Sequence, residues 1–323
     1  MKLYVLKTTD PYLNLAIEEY LFRKSDDSVF ILWQNYNTVV IGKNQNAYCE
    51  VNAEYAEAHG IKTARRITGG GAVYHDLGNV NYSFISKSAN NGIDFKTFTE
   101  PIISLLGDLG VPAALSGRND ILVGEKKISG NAQFSSNGRV LHHGTILFDS
   151  DLSTLSAALN VDPEKVSSRA VKSTRSRVAN LKDFLNKDVS ALKFILLLKD
   201  YVVRRFSAEI CEIEPNDEIK TLASRNASKE WLYPERDFLE SYIVRKKQRF
   251  DFGTIDVNLE MRGATIKKIA IHGDFFGNSS INELENLLCG ADISRLENVL
   301  LNISVCDYIF GMSNEDFVTL IRK

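Results

Sequence analysis

The sequence has no run approaching ~18 consecutive apolar residues, so nothing in it reads as a membrane span. It has no excess of either charge: 39 Lys and Arg stand against 41 Asp and Glu, a formal net charge of -2. A surface built mainly to grip nucleic acid needs a large basic excess, so that class is disfavoured, although a local basic site is not. Cysteine is scarce, with only Cys49, Cys211, Cys289 and Cys306. None stands in a CxxC pair, and no zinc-ligand spacing is present. The start, MKLYVLKTTDPYLN, has no apolar stretch of signal-peptide length. The expectation is a cytoplasmic protein with four free thiols and no membrane or nucleic-acid partner.

Familiar signatures are missing as well. There is no GxxxxGK(S/T) phosphate loop, no GxGxxG after a strand, no HExxH and no GxSxG. Any nucleotide is held by another route. No internal repeat or low-complexity tract occurs.

What is present is an ordinary globular composition over 323 residues, 44% hydrophobic and 25% charged. That length predicts about two domains. Asp10-Pro11 reads as a helix entry, and Leu13, Ile17, Tyr20 and Leu21 share one helical face. Val29–Trp33 and Thr38–Ile41 read as strands joined by a turn at Asn35-Tyr36-Asn37. Helix-like segments follow at 52–59, 98–109, 152–159 and 189–206, with strands at 61–67, 72–75 and 80–86. Asn137-Gly138 between apolar pairs predicts a hairpin. The segments around 214–217 and 224–229 read as polar. Near residue 240 the pattern changes: Ile255, Val257, Leu259 and Met261 alternate at period two, and three helix-like segments close the chain near 282–289, 293–301 and 314–322. The expected architecture is α+β, with a main domain over 1–240 and a small α+β domain over 241–323.

The stretch Arg65-Arg66-Ile67-Thr68-Gly69-Gly70-Gly71-Ala72-Val73-Tyr74-His75-Asp76 is the most unusual. Three consecutive glycines cost conformational entropy. Without Cβ atoms, their N–H groups can approach phosphate or carboxylate oxygens. Arg66 adds a planar fork of donors. A tight turn with two solvated arginines is the alternative. In Gly124-Glu125-Lys126-Lys127-Ile128-Ser129-Gly130, strand geometry sends Lys126 and Lys127 to opposite faces, one toward a pocket and one toward solvent. A charged hairpin is the alternative there. His142 and His143 likewise point to opposite sides. The 164–177 stretch is basic and rich in Ser and Thr, as in a cover over a phosphate or in a solvated face. Asp120 is a candidate magnesium carboxylate or a turn residue.

Together these pieces resemble the lipoate–protein ligase family. The matching runs stand in chain order: Thr38–Asn46, Arg65–Asn79, Gly117–Asp120, Lys127–Ala132, His142–Thr145 and Ser173–Leu181. The resemblance covers most of residues 1–200, and the last 80 or so resemble the family's small accessory domain with weaker signals. It implies a catalytic domain like those of biotin–protein ligases and class II aminoacyl-tRNA synthetases. It also implies a two-step reaction, in which lipoate and ATP give lipoyl-AMP and the lipoyl group then passes to an acceptor lysine. The implied acceptors are lipoyl domains of 2-oxoacid dehydrogenase E2 subunits and the glycine-cleavage H protein.

On that resemblance Lys127 is the catalytic lysine, contacting both lipoate and nucleotide. Arg66, Gly71, Ala72, Val73 and Tyr74 bind ATP and the adenylate. Gly70, His75 and His143 border lipoate. Arg169, Thr174 and Arg175 cover the adenylate, and Asp120 holds Mg2+. A monomer is expected. An ATP-independent lipoyl or octanoyl transferase of the same fold needs a cysteine nucleophile, and no cysteine lies between Cys49 and Cys211. A non-enzymatic adenylate binder that partners with DNA is disfavoured by the near-neutral charge.

Overall fold

The computed structural model describes residues 1–87, 93–117, 119–160, 177–186 and 188–323. The strands, in chain order, are β1 (Lys2–Val5), β2 (Val29–Trp33), β3 (Thr38–Ile41), β4 (Lys62–Arg65), β5 (Val73–His75), β6 (Asn79–Lys87) and β7 (Ala113–Ser116). They continue with β8 (Asp120–Val123), β9 (Lys126–Ser136), β10 (Arg139–Leu147), β11 (Glu209–Cys211), β12 (Val244–Phe250), β13 (Gly253–Arg262) and β14 (Thr265–Gly273). They form a large sheet of order β11-β1-β2-β6-β10-β9-β8-β7, a small sheet β4-β3-β5, and a C-terminal sheet β12-β13-β14.

The two faces of the large sheet are buried differently. Phe30, Leu32, Val80, Tyr82, Phe84 and Ile146 point to one side, under the helices Phe95–Asp108 and Ala191–Phe206. Val29, Ile31, Trp33, Ile85 and Leu141 point to the other, against the helix Pro11–Lys24. That helix starts where the sequence signals it: Asp10 accepts from the N–H groups of Tyr12 and Leu13, with Pro11 opening the first turn. The small sheet lies on this second side. In β3, Val40 faces the large sheet, while Val39 and Ile41 face away into a separate cluster with Ala47, Val51 and Tyr74. Period-two alternation thus builds a layer between two sheets.

The β9–β10 hairpin forms as expected. Ser136 pairs with Arg139, and Asn137 and Gly138 take φ values of 52° and 69°, the two left-handed positions of a type I′ turn. Val29–Trp33 and Thr38–Ile41 are strands, but they enter different sheets, and Asn37, at φ 47°, turns the chain between them.

Two elements were not legible as apolar patterns. Asp217–Ala227 is a helix, although its sequence is mostly polar. Only Ile219, Leu222 and Asn226 are buried, and they pack on the helix Pro11–Lys24 while Arg225 pairs with the buried Glu19. β12, VRKKQRF, reads as charge because it is a sheet edge, where lysine is favoured.

The C-terminal unit has its own core, from Ile255, Val257 and Leu259 of β13 through Leu284 and Leu288 to Phe317 and Ile321. Gly273–Phe276, following β14, reaches back to the small sheet. Gly273 N donates to Asn44 O at 3.0 Å, and Gly70 N donates to Phe275 O at 3.3 Å. Phe276 is inserted beside Phe95 and Ala132. Just before this unit, Asp237 is buried and accepts from Arg65 Nη2 at 2.9 Å while pairing with His272 Nε2 at 3.0 Å. Burial opposes ionisation of Asp237, but His272 and Arg65 together hold its carboxyl below the usual range. No helix among the described residues is long and apolar enough to cross a membrane.

Candidate active site

A cavity opens between the two sheets. Its floor is the large sheet, and its roof is Val40, Arg66, Gly70 to Val73 and His75 of the small sheet. Register sets the floor. Trp33 of β2 pairs with Asn81 of β6, and Asn81 pairs with Thr145 of β10. Thr145 Oγ1 lies 3.4 Å from Gly130 of β9, which pairs with Asp120 of β8. This row runs across the strands. At the usual strand spacing, about 14 Å separates Gly130, beside Lys127, from Trp33. The cavity is therefore a trough with Lys127 at one end and an apolar wall of Leu15, Trp33 and Val40 toward the other.

Lys127 lines the trough and Lys126 is exposed, as alternation on a strand requires. A register shift between Ile121 and Leu122 of β8 brings Lys127 Nζ to 2.7 Å from Asp120 Oδ1. The pair is only partly exposed, so the ammonium is oriented rather than freely mobile. The residues after the basic 164–177 stretch attach to the same strand: Val178 bridges to Lys127, and Ala179 N donates to Lys127 O at 3.0 Å. Arg169, Thr174 and Arg175 lie outside the described residues.

The three glycines have separate reasons. A Cβ on Gly69 would lie 2.2 Å from Phe275 O, so the C-terminal unit's approach excludes one. Gly70 sits at φ 90°, which favours glycine. Gly71 has nothing nearer than Asp274 Cβ at 4.0 Å, and it faces the cavity. Arg66 is buried behind this turn. Its Nε meets Thr68 Oγ1 at 3.0 Å and Gly69 O at 3.2 Å, Nη1 meets Val40 O at 3.2 Å, and Nη2 meets Gly69 O at 2.6 Å and Gly71 O at 2.9 Å. Every nitrogen of its fork thus has an acceptor within the chain. Burial pushes its pKa down to about 10, so it stays cationic at neutral pH. Ala72 and Val73 line the cavity; the Tyr74 side chain points the other way and donates to Asn37 Oδ1 at 3.0 Å.

The two neighbouring histidines separate as β10 dictates. His142 lies on the core face against Phe95, Phe98 and Tyr82, and burial pushes its pKa well down. His143 lines the cavity. Its Nδ1 is 2.9 Å from Glu18 Oε1 and its Nε2 is 2.8 Å from Thr68 Oγ1. Glu18 also accepts from Ser83 Oγ at 2.6 Å, and Ser83 Oγ accepts from Trp33 Nε1 at 2.9 Å. This buried network ties one cavity wall to the triple-glycine turn. Glu18 was not foreseen, because nothing in a helical sequence marks which acid faces inward. Asn81 was equally silent; Asn131 and Gly144 stand within the runs Lys127–Ala132 and His142–Thr145 but were given no role, although a Cβ on Gly144 would lie 2.2 Å from Asn131 Oδ1. Among the described residues no three His, Cys, Asp or Glu side chains cluster to hold a metal. All four cysteines are free, and none lines the cavity.

Residues 10–203 match the family described as the lipoyl protein ligase A/B catalytic domain, and residues 240–321 match the bacterial lipoate protein ligase C-terminus. The chain is 39% identical to lipoate-protein ligase LplJ of Bacillus subtilis over 97% of each chain. It is 38% identical to lipoate–protein ligase 1 of Staphylococcus aureus, again over 97% of each. Among the solved structures similar over 72% of this chain are two ligases. One is a lipoate-protein ligase A bound with ATP, at 31% identity, a TM-score of 0.62 and 98% of its own chain. The other is a bi-partite lipoate protein ligase from Thermoplasma acidophilum, at 34% identity, a TM-score of 0.62 and 96% of its own chain. With a lysine and a triple-glycine turn facing one inter-sheet trough, and with both halves matched along nearly their whole length, the chain belongs to the lipoate–protein ligase family.

Proposed function

We propose that the trough is where this ligase joins lipoate to AMP and then passes the lipoyl group to a protein lysine. The observation that carries the reading is that Lys127 and the Gly70-Gly71 turn line one cavity. A carboxylate is a poor electrophile, and adenylation supplies a leaving group. A lipoate carboxylate oxygen attacks the α-phosphorus of ATP, and pyrophosphate departs. The acceptor amine then attacks the acyl carbon, and AMP departs.

Both first-step reactants are anionic. Lys127 stabilises the negative charge that develops on the α-phosphate and later on the acyl oxygen. Asp120 aims its ammonium. Arg66 gives the roof a fixed positive charge and holds the turn through the carbonyls of Gly69 and Gly71, instead of offering a free fork to phosphate. Gly71, Ala72 and Val73 present backbone to the nucleotide. The acyl tail runs along the sheet row toward Leu15, Trp33, His75 and His143.

No acidic cluster occurs among the described residues, and Asp120, paired through Oδ1 with Lys127, is a single partly exposed carboxylate; that fits Mg2+ carried in on polyphosphate, since the ion needs one or two carboxylates besides phosphates and water. Asp120 would hold it, and the ion would neutralise charge on the polyphosphate. Arg169, Thr174 and Arg175 supply the cations and hydroxyl that a water-excluding cover needs, a role that rests on sequence alone. The acceptors are lipoyl domains of E2 subunits and the H protein; the Thermoplasma acidophilum relative is described together with its E2 lipoyl domain. Use of ATP points to the cytoplasm, and a monomer with a main domain over 1–240 and a small domain over 241–323 is the form in which the ligase works. The absence of cysteine from the cavity wall favours ATP-dependent ligation over cysteine-mediated transfer.

The test is incubation with ATP, magnesium, lipoate and an apo lipoyl domain, read by intact mass. Addition of one lipoyl group that requires both ATP and lipoate is expected. Transfer without ATP would replace this reading with the transferase.

A further inference from the structure

His75 leaves one buried polar atom without a partner. Its side chain lines the trough, the residue is 2% exposed, and Nε2 makes no hydrogen bond among the described residues. The other ring nitrogen, Nδ1, lies 3.1 Å from Asn35 Nδ2 and 3.5 Å from Asn81 Nδ2.

The nearer amide cannot be turned over. Asn35 Oδ1 accepts from Asn14 Nδ2 at 3.0 Å, and Asn14 Nδ2 is itself fixed by the carbonyls of Thr8 at 3.2 Å and Gln34 at 2.8 Å. The Asn35 amide therefore presents a donor to Nδ1, which must accept. In a neutral imidazole the proton then sits on Nε2. The ring is neutral at physiological pH, because burial, with the Arg66 cation and His143 nearby, pushes its pKa down to about 3.

The other polar groups of this wall are committed. Both nitrogens of His143 are engaged, by Glu18 and Thr68, and Trp33 Nε1 is engaged by Ser83. The end of the trough away from Lys127 thus offers an apolar slot in which the Nε2–H of His75 is a fixed, unused donor. The Trp33 ring stands edge-on to His75 at 6.2 Å.

We propose that the Nε2–H of His75 is a specificity-determining donor that recognises a sulfur of the substrate's dithiolane ring. The proposal rests on the reading that the acyl tail occupies this trough. Sulfur is a weak acceptor and packs well at aromatic edges. A saturated hydrocarbon tail fills the slot but leaves the donor unpaired, and a buried unpaired donor costs affinity. A site built around a donor rejects the analogue that lacks the acceptor more strongly than shape alone would.

The experiment compares lipoate with its cyclopentyl analogue, in which carbon replaces both sulfurs, on the unmodified full-length chain. Calorimetric Kd and acid-dependent pyrophosphate exchange are the readouts. Lipoate is expected to be favoured about tenfold in Kd and KM, with kcat little changed. His75→Phe keeps an aromatic ring and removes the N–H, and it is expected to bring the ratio to about one. Equal affinity of the unmodified chain for the two acids overturns the proposal alone. So does a tenfold preference that survives in folded His75→Phe. Binding of neither acid overturns the assignment of the trough to the acyl tail, and this proposal with it.

Discussion

The trough between the two sheets and the C-terminal unit are built from the same kinds of strand, yet they bury different things. The C-terminal core is a continuous apolar cluster in which β13 and β14 set Ile255, Val257, Leu259, Ile269 and Ile271 against Leu284, Leu288 and Phe317. The trough buries Glu18, Thr68, His75, Asn81 and His143 between two sheets, each held by directed hydrogen bonds. Apolar packing is stable without fine placement. A buried polar network is held by directed bonds, which fix its donors and acceptors in place, including any left unused. A polar knot outside the trough, Arg65–Asp237–His272, sits where the two regions meet.

That contrast can be broken most forcefully at the junction. Asp237→Ala leaves Arg65 without its carboxylate and His272 without its partner in a buried place. A loss of about 3–5 kcal/mol in unfolding free energy is expected. Denaturant titration checks it; a change under 1 kcal/mol would mean that the two regions stand without the knot.

Lys127→Ala probes the trough alone. Removal of the charge stabiliser is expected to lower lipoyl-AMP formation about 10²–10³-fold, with the circular dichroism spectrum retained. Near-normal turnover would remove Lys127 from its assigned role.

Acid separates the two regions more finely. His75, with its pKa pushed down to about 3 chiefly by burial, stays neutral in the fold while the unfolded chain takes up a proton near 6.5. Its contribution is whole above pH 6.5 and is lost as pH falls toward 3. At pH 5 the cost is about 2 kcal/mol. His142 acts with the same sign. In the C-terminal unit His272 is also lowered by burial, but burial raises Glu285 to about 7. Glu285 keeps its proton in the fold below about pH 7, so its contribution is whole below pH 4.5 and is lost as pH rises through 7. Acidification is thus expected to loosen β5 and β6 before β13 and β14. Hydrogen exchange at pH 7 and pH 5, corrected for intrinsic rates, reads the order; uniform loosening would contradict it.

The glycines give the smallest and most local contrast. Gly69→Ala meets Phe275 O and is expected to cost about 1–3 kcal/mol. Gly71→Ala meets open space, so its melting temperature is expected to stay near that of the parent while KM for ATP rises. Thermal melts and exchange kinetics on the two variants separate docking from nucleotide contact.

Much of this was legible in local pattern. Asp10-Pro11 marked a helix start, Asn137-Gly138 marked a hairpin, and alternation separated Lys126 from Lys127 and His142 from His143, while only the structure showed which member of each pair lines the cavity. The helix Asp217–Ala227 escaped because its stability comes from two apolar residues and a bidentate Arg225–Glu19 contact on a distant helix. Periodicity has little to register there.

The sequence by itself determined which residue types exist in which order, and hence the strands, the turns and the motif run shared with lipoate–protein ligases. Only the tertiary structure decided that Val29–Trp33 and Thr38–Ile41 belong to different sheets with a trough between them. It also turned Arg66 inward to brace a turn and left His75 with a single free N–H. The physical reason is that alternation fixes which face a side chain takes, whereas its partners come from strands far away in the chain. A proton's position on an imidazole depends on those partners.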